Sequence, residues 1–310
     1  MKTPAWLALG FVIFALSSCG SIGLSFDRGQ LASNLWENRE QLSQGSQATE
    51  ADFTPEHEYY IGRAVAAQIL GDTKRYPPYA ADAPRKYLNL LGRGLAYCSP
   101  MPETYNGWHF LVLDSSEINA FSAPSGFVLV SRELLKCAQS EDEVAAILAH
   151  EIGHVALGHG MAAISEAHRN EALKEIAKTV FKGTVKIELP FGISIGADRL
   201  GKLLNVSVLD IVETLANKGY SRELEYQADA AAVAILSRAG YDPRALVRML
   251  QVMQSRWKTG GLGFMKTHPS PADRIKEVEK GIASIPAPAA VPAAAAAART
   301  ARYQTGLGKL

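Results

Sequence analysis

The stretch that most constrains this chain is His150-Glu151-Ile152-Gly153-His154. It lies inside Ser140-Glu-Asp-Glu-Val-Ala-Ala-Ile-Leu-Ala-His-Glu-Ile-Gly-His-Val-Ala-Leu, a run rich in Ala, Leu and Ile. Ser140 and Glu143 have the spacing of a capping box, so the run reads as a helix with a defined start. Positions i and i+4 share a helix face, and both imidazoles can reach one cation. Glu151 stands beside them, placed to take a proton from a metal-bound water. The same pentapeptide also arises by chance, as two histidines on a buried helix. The apolar, capped setting weighs against chance, because imidazole and carboxylate groups are costly to bury without partners.

A catalytic zinc site needs three protein ligands and one open position. Downstream, Ser221-Arg-Glu-Leu-Glu-Tyr-Gln-Ala-Asp229 runs into an Ala-rich helical pattern with Glu225 and Asp229 four apart on one face. Glu225 would complete a His2Glu set, and Asp229 could then hold a ligand imidazole from outside. Glu223 competes for the ligand role but lacks an acidic partner at i+4. The bland alternative is a solvated acidic face. An extended zinc motif with a third histidine fails on spacing, because Gly158 and His159 are each displaced by one residue; His159 is therefore not expected as a ligand.

These pieces, with Asn119-Ala-Phe-Ser-Ala-Pro-Ser-Gly-Phe-Val-Leu-Val and Thr267-His-Pro through Arg274-Ile275, resemble the HtpX-like and CaaX-prenyl-endopeptidase family of zinc metallopeptidases. The ordered motifs spread over residues 52–283. The resemblance implies one zinc ion per chain, held by His150, His154 and Glu225, and hydrolysis of peptide bonds in polypeptide substrates. By resemblance alone, those substrates are misfolded or misassembled envelope proteins. Ser125 departs from the family pattern, which more often has Gly there. The fold expected is α+β: a mostly helical, zincin-like domain with a small β-sheet beside the His150–His154 helix.

Formal net charge is +1, which gives no footprint for nucleic acid or for an electrostatic membrane surface. Hydrophobic residues make up 47% of the chain, enough for a sizeable core. Residues 1–18 read as an export signal, with Lys2 at the start and an apolar run to Leu16. Leu16-Ser-Ser-Cys19 resembles a bacterial lipobox, which implies lipid on Cys19, and Gly20 favours the outer membrane facing the periplasm. The alternative is a plain secretory signal with Cys19 incidental. Residues 19–51 are polar and aperiodic, a tether. No later segment is long and apolar enough to span a bilayer. Residues 284–310, rich in Pro and Ala, read as a tail.

Within the domain, Trp108–Asp114 and Gly126–Val130 alternate as strands, joined by a connection over 115–125. Phe127, Val128, Leu129 and Val130 are the candidate edge strand on which an extended substrate could pair; the alternative is a strand buried in the sheet. Cys98 and Cys137 form an even pair in an oxidising compartment and are expected as a disulfide, against two buried thiols. The apolar segment 183–201, broken by Pro190, reads as a flap or partner surface. His268, held extended by Pro269, can point into a cleft. It or Arg274 could stabilise the charge that develops on the carbonyl oxygen. Alternatively His268 fills the open zinc position at rest, or is a loop histidine bonded locally. The rival function is a membrane-anchored chaperone or adaptor that binds unfolded chains with little proteolysis. No protein partner can be named from the sequence.

Overall fold

The computed structural model describes residues 53–163, 219–257, 268, 271–286 and 291–310. The export signal, Cys19, the whole tether and the 183–201 segment lie outside the described residues. In chain order the described elements are α1 (Pro55–Gly71), α2 (Asp82–Tyr97), β1 (His109–Leu113), β2 (Ala120–Ala123), a 3-10 turn (Pro124–Gly126), β3 (Phe127–Ser131), α3 (Arg132–Cys137), α4 (Glu141–Ala156), α5 (Arg222–Arg238), α6 (Arg244–Trp257), α7 (Pro271–Ala283) and α8 (Ala293–Leu307). This is the expected mostly helical α+β fold, with its small sheet beside α4.

The three strands run in the order β1-β3-β2, with β1 parallel and β2 antiparallel to β3. Side chains alternate across the sheet with period two. Phe110, Val112, Val128 and Val130 join the larger core with α2 and α4, whereas Leu113, Phe121 and Leu129 join a second core under α1. Phe127–Val130 is therefore not an edge, as expected from the sequence, but lies within the central strand. Its backbone is paired on both sides, and only Phe127 is less than fully buried. The outer side of β1 is also covered. The Asn89 amide bonds both the N–H and the carbonyl of Phe110 at 3.3 and 2.6 Å, and Tyr79 N–H donates to the Val112 carbonyl at 2.8 Å. Among the described residues, the strand with a partner on one side only and no backbone cover on the other is β2, which lies buried against α4.

β2 was not visible in the sequence. Ala120-Phe-Ser-Ala is short and built of small residues, and all four are buried, so no polar alternation marks it. Ser125 adopts φ 60°, ψ 26°, a left-handed conformation that glycine would take without strain.

α4 is a core helix. All but one of its residues from Glu141 to Val155 are buried, so it is apolar nearly all round rather than along a stripe. Ser140 caps it by accepting from Glu143 N–H at 3.4 Å, while the Glu143 carboxylate reaches back to Gln139 N–H at 2.7 Å. The expected Pro/Ala-rich tail contains α8, which packs on α2 and α4 through Gly306, Leu307 and Tyr303. The expected Cys98–Cys137 disulfide is not formed: both are free thiols. Each is held by its own helix. The Cys137 thiol donates to the Glu133 carbonyl at 3.3 Å, and burial pushes its pKa up; Cys98 caps the end of α2.

Candidate metal centre

The centre forms where α4 and α5 pack. A Cβ at Gly153 would lie 2.9 Å from the Ala228 carbonyl oxygen, so this close approach of the two helices requires glycine. Gly158, at φ 70°, then turns the chain back so that His159 returns against His154. On α5, capped by Ser221, Glu225 and Asp229 face α4 and are buried, whereas Glu223 is exposed.

Four donor atoms converge. His150 Nε2 lies 3.1 Å from His154 Nε2 and 3.3 Å from His268 Nδ1. Glu225 Oε1 lies 3.3 Å from His154 Nε2 and 2.8 Å from His268 Nδ1, with Oε2 at 3.6 Å from His150 Nε2. Ligands at zinc distances of about 2.0–2.1 Å in a tetrahedron stand about 3.3–3.4 Å apart, so this spacing suits one zinc-sized cation. These four residues are a group able to hold a metal ion, and all are buried.

The outer nitrogens are already engaged. His150 Nδ1 lies 3.0 Å from Asp229 Oδ1, and His154 Nδ1 lies 2.9 Å from His159 Nδ1, whose other nitrogen meets Gln227 at 3.2 Å. With Nδ1–H of His150 given to Asp229, its Nε2 is the nitrogen turned toward the other donors, and its lone pair is available once that nitrogen is deprotonated. Lone pairs gathered in a buried space call for a cation. Arg274 sits behind the group, almost fully buried. Its Nε and Nη2 bond both Asp229 oxygens at 2.7 Å, and Nη1 ion-pairs with Glu225 Oε2 at 2.6 Å.

The electrostatics follow from that wiring. Burial works against ionised Glu225 and Asp229, but His268 and Arg274 hold Glu225 well below the usual carboxylate range, and Arg274 also lowers Asp229. Burial and Arg274 pull His150 down, yet Asp229 and Glu225 outweigh them and push it up to about 9. Burial drops His154 far below the ordinary imidazole value and His159 to about 4. Glu151 differs from all of these: both its oxygens are buried without a hydrogen-bond partner among the described residues. The nearest cationic candidate, His268 Nε2, is 3.7 Å from Oε1.

The profile of Peptidase family M48 matches residues 82–282, which carry every residue of this centre. The chain belongs to family M48. Among curated relatives, the beta-barrel assembly-enhancing protease of Escherichia coli O157:H7 is 26% identical over 62% of this chain and 37% of its own length. The mitochondrial metalloendopeptidase OMA1 of Arabidopsis thaliana is 32% identical over 54% of this chain and 30% of its own. Metalloprotease YcaL of E. coli strain K12 is 26% identical over 57% of this chain and 63% of its own. The match thus spans little more than a third of the first relatives' length. Membership in M48 agrees with the donor set: imidazole and carboxylate at tetrahedral spacing suit zinc, the ion of the family.

The structure gathers His150, Glu151, His154, Glu225, Asp229, His268 and Arg274 into one buried cluster, and leaves Phe127–Val130 in the central strand. Two residues in contact with this cluster had no evident signal in the sequence. His159 was set aside on spacing, and spacing speaks to metal reach, not to holding a ligand's outer nitrogen. Tyr220 precedes the helix cap and reads as a loop residue, yet its ring stacks on His154 at 4.1 Å between centroids.

Proposed function

We propose that this protein is a zinc-dependent endopeptidase of the bacterial cell envelope, with His150, His154 and Glu225 as zinc ligands and Glu151 as general base. The observation that carries this is Glu151: a buried carboxylate with no hydrogen-bond partner among the described residues, directly beside four converging donor atoms. A binding module gains nothing from burying such a group, whereas hydrolysis needs it. When bound, zinc lowers the pKa of a water and polarises the scissile carbonyl. Glu151 accepts that water's proton and passes it to the leaving amine. Asp229 and His159 set the ring orientation of His150 and His154, and Arg274 holds Asp229 and Glu225 in place.

An extended substrate fits the outer edge of β2, Ala120–Ala123, because β3 is paired on both sides and β1 is covered. Arg274, expected from sequence as a possible partner of the carbonyl oxygen, is engaged by two carboxylates and serves better as a positioning residue. His268 supplies the fourth donor, which fills the position substrate must enter; the reading favoured by its 2.8 Å approach to Glu225 is a resting-state plug. His268→Ala should then retain zinc and raise activity, while a fall in activity assigns His268 to transition-state binding.

The motifs support a place for the chain among the HtpX-like and CaaX-prenyl-endopeptidase members of the family. The relatives named as beta-barrel assembly-enhancing proteases support misassembled envelope proteins as substrates. Lipid on Cys19 would hold the enzyme at the outer membrane, facing the periplasm; no described helix is long and apolar enough to cross a membrane. Cys19→Ser should release it to the soluble fraction. The central test compares casein cleavage and zinc content in wild type and Glu151→Gln. Zinc retained with cleavage lost is the expected result, and equal cleavage rates overturn the reading.

A further inference from the structure

We propose that Tyr220 is a further catalytic residue, its hydroxyl donating a hydrogen bond to the scissile carbonyl oxygen as that oxygen gains negative charge. The inference rests on the peptidase reading and deepens it. Gly219, at φ 71°, turns the chain into α5, and Ser221 caps the helix by accepting from Leu224 N–H. Tyr220 therefore occupies the position before the cap, whose side chain folds back toward the fourth helical residue. Here that residue is Glu225, so the cap geometry lays the phenol ring against the metal group.

The ring lies flat on His154, with an interplanar angle of 17°, and its centroid is 6.2 Å from that of His268. The residue is only 8% exposed, and its hydroxyl makes no well-aligned hydrogen bond among the described residues, with Ser122 the hydroxyl within reach of it. Burying a hydroxyl unpaired is costly, which makes it a site with an outstanding partner. Two other buried groups stand near it: Ser122 Oγ on β2, which lies toward the phenol oxygen, and the Glu151 carboxylate, which has no hydrogen-bond partner among the described residues. A phenol is protonated at neutral pH and hence a donor.

These groups ask for complementary partners. A phenol O–H wants an acceptor, and Glu151 wants an N–H or O–H. A peptide bond entering along β2 brings a carbonyl oxygen for the first, while the attacking water and then the leaving amine serve the second. A donor placed where charge develops acts mainly in the transition state, so its loss lowers kcat rather than raising KM.

Tyr220→Phe removes one atom and keeps the ring stacked on His154. The measurements are kcat and KM on a fluorogenic peptide, zinc content, melting temperature, and inhibition by a phosphinic peptide, whose tetrahedral phosphorus carries an oxygen in the carbonyl's place. The expected result is kcat down by about 10²- to 10³-fold. KM, zinc content and melting temperature stay unchanged, and phosphinic-peptide affinity weakens by a comparable factor. Unchanged kcat and unchanged inhibitor affinity would overturn the proposal, as would loss of zinc, which would make Tyr220 a support for the metal group. Failure of the peptidase reading shows separately, as wild-type protein with neither zinc-dependent cleavage nor phosphinic-peptide binding, and overturns both.

Discussion

The two ends of α4 are both crowded with acidic and polar side chains, and they differ in whether those groups are satisfied. At the N-terminal end, Glu141 accepts from Arg302 and Tyr241, Asp142 from Asp242 N–H and Arg299, and Glu143 from Gln139 N–H and Arg248. These carboxylates also sit at the positive end of the helix dipole. At the C-terminal end, among the described residues, the Glu151 oxygens and the Tyr220 hydroxyl make no well-aligned hydrogen bond, and four imidazoles meet nitrogen to nitrogen. A polar cluster that completes itself is architecture. One that is complete only with a cation and a substrate is a site.

The sharpest break in that comparison is Glu151→Gln. Gln keeps the shape but cannot act as a base, so turnover should fall by about two to four orders of magnitude with zinc retained. Steady-state cleavage beside metal analysis measures it, and an unchanged rate would place Glu151 with the architectural carboxylates. Next is Asp229→Ala, which removes the carboxylate that holds the outer nitrogen of His150 and leaves Arg274 paired with Glu225 alone. Zinc affinity should weaken about 10- to 100-fold, read by competition with a chelating dye; unaltered affinity would show that α5 contributes Glu225 alone.

A pH series sharpens the same point. In the metal-free protein His150 is raised to about 9, so zinc must displace its proton across the physiological range. Apparent zinc affinity should rise by about tenfold per pH unit, one proton's worth, and level off above about pH 9. The sign for folding is opposite. Because the folded value is raised above the unfolded one, the stability it lends the apoprotein is full below about pH 6.5 and lost as pH climbs through 9. Thermal melts of apoprotein across that window check it. The smallest effect belongs to the other end: Arg302→Ala should cost about 1 kcal/mol, since Arg302 is partly exposed and Tyr241 still serves Glu141. Chemical denaturation should show the loss while kcat stays unchanged.

How much of this could be read from residues alone follows from the range of the interactions. Helix α4, its cap and the facing pair Glu225 and Asp229 repeat at helical spacing, a local signal that survives in the sequence. Which strand forms the edge is not local. It depends on Asn89 and Tyr79 covering β1 and on a four-residue β2 with no alternation to mark it. The Pro/Ala composition past residue 284 hid α8 for a similar reason: its anchors, Arg299, Arg302 and Tyr303, acquire meaning only beside Asp142, Glu141 and Ala138. Count and compartment paired Cys98 with Cys137, but a disulfide needs geometry, and each thiol stays with its own helix. His159 and Tyr220 were missed because they act on a ligand's ring, and ring contacts leave no spacing rule.

The most direct test of the central claim is the zinc content of purified Glu225→Ala set against wild type, measured as metal per chain on protein whose melting confirms that it is folded. The account predicts one zinc per chain in wild type and a large loss in the variant, because removing Glu225 takes away a ligand and leaves Arg274 facing the ion with only Asp229 as partner. Equal zinc in the two proteins would contradict it and return the third ligand to another residue.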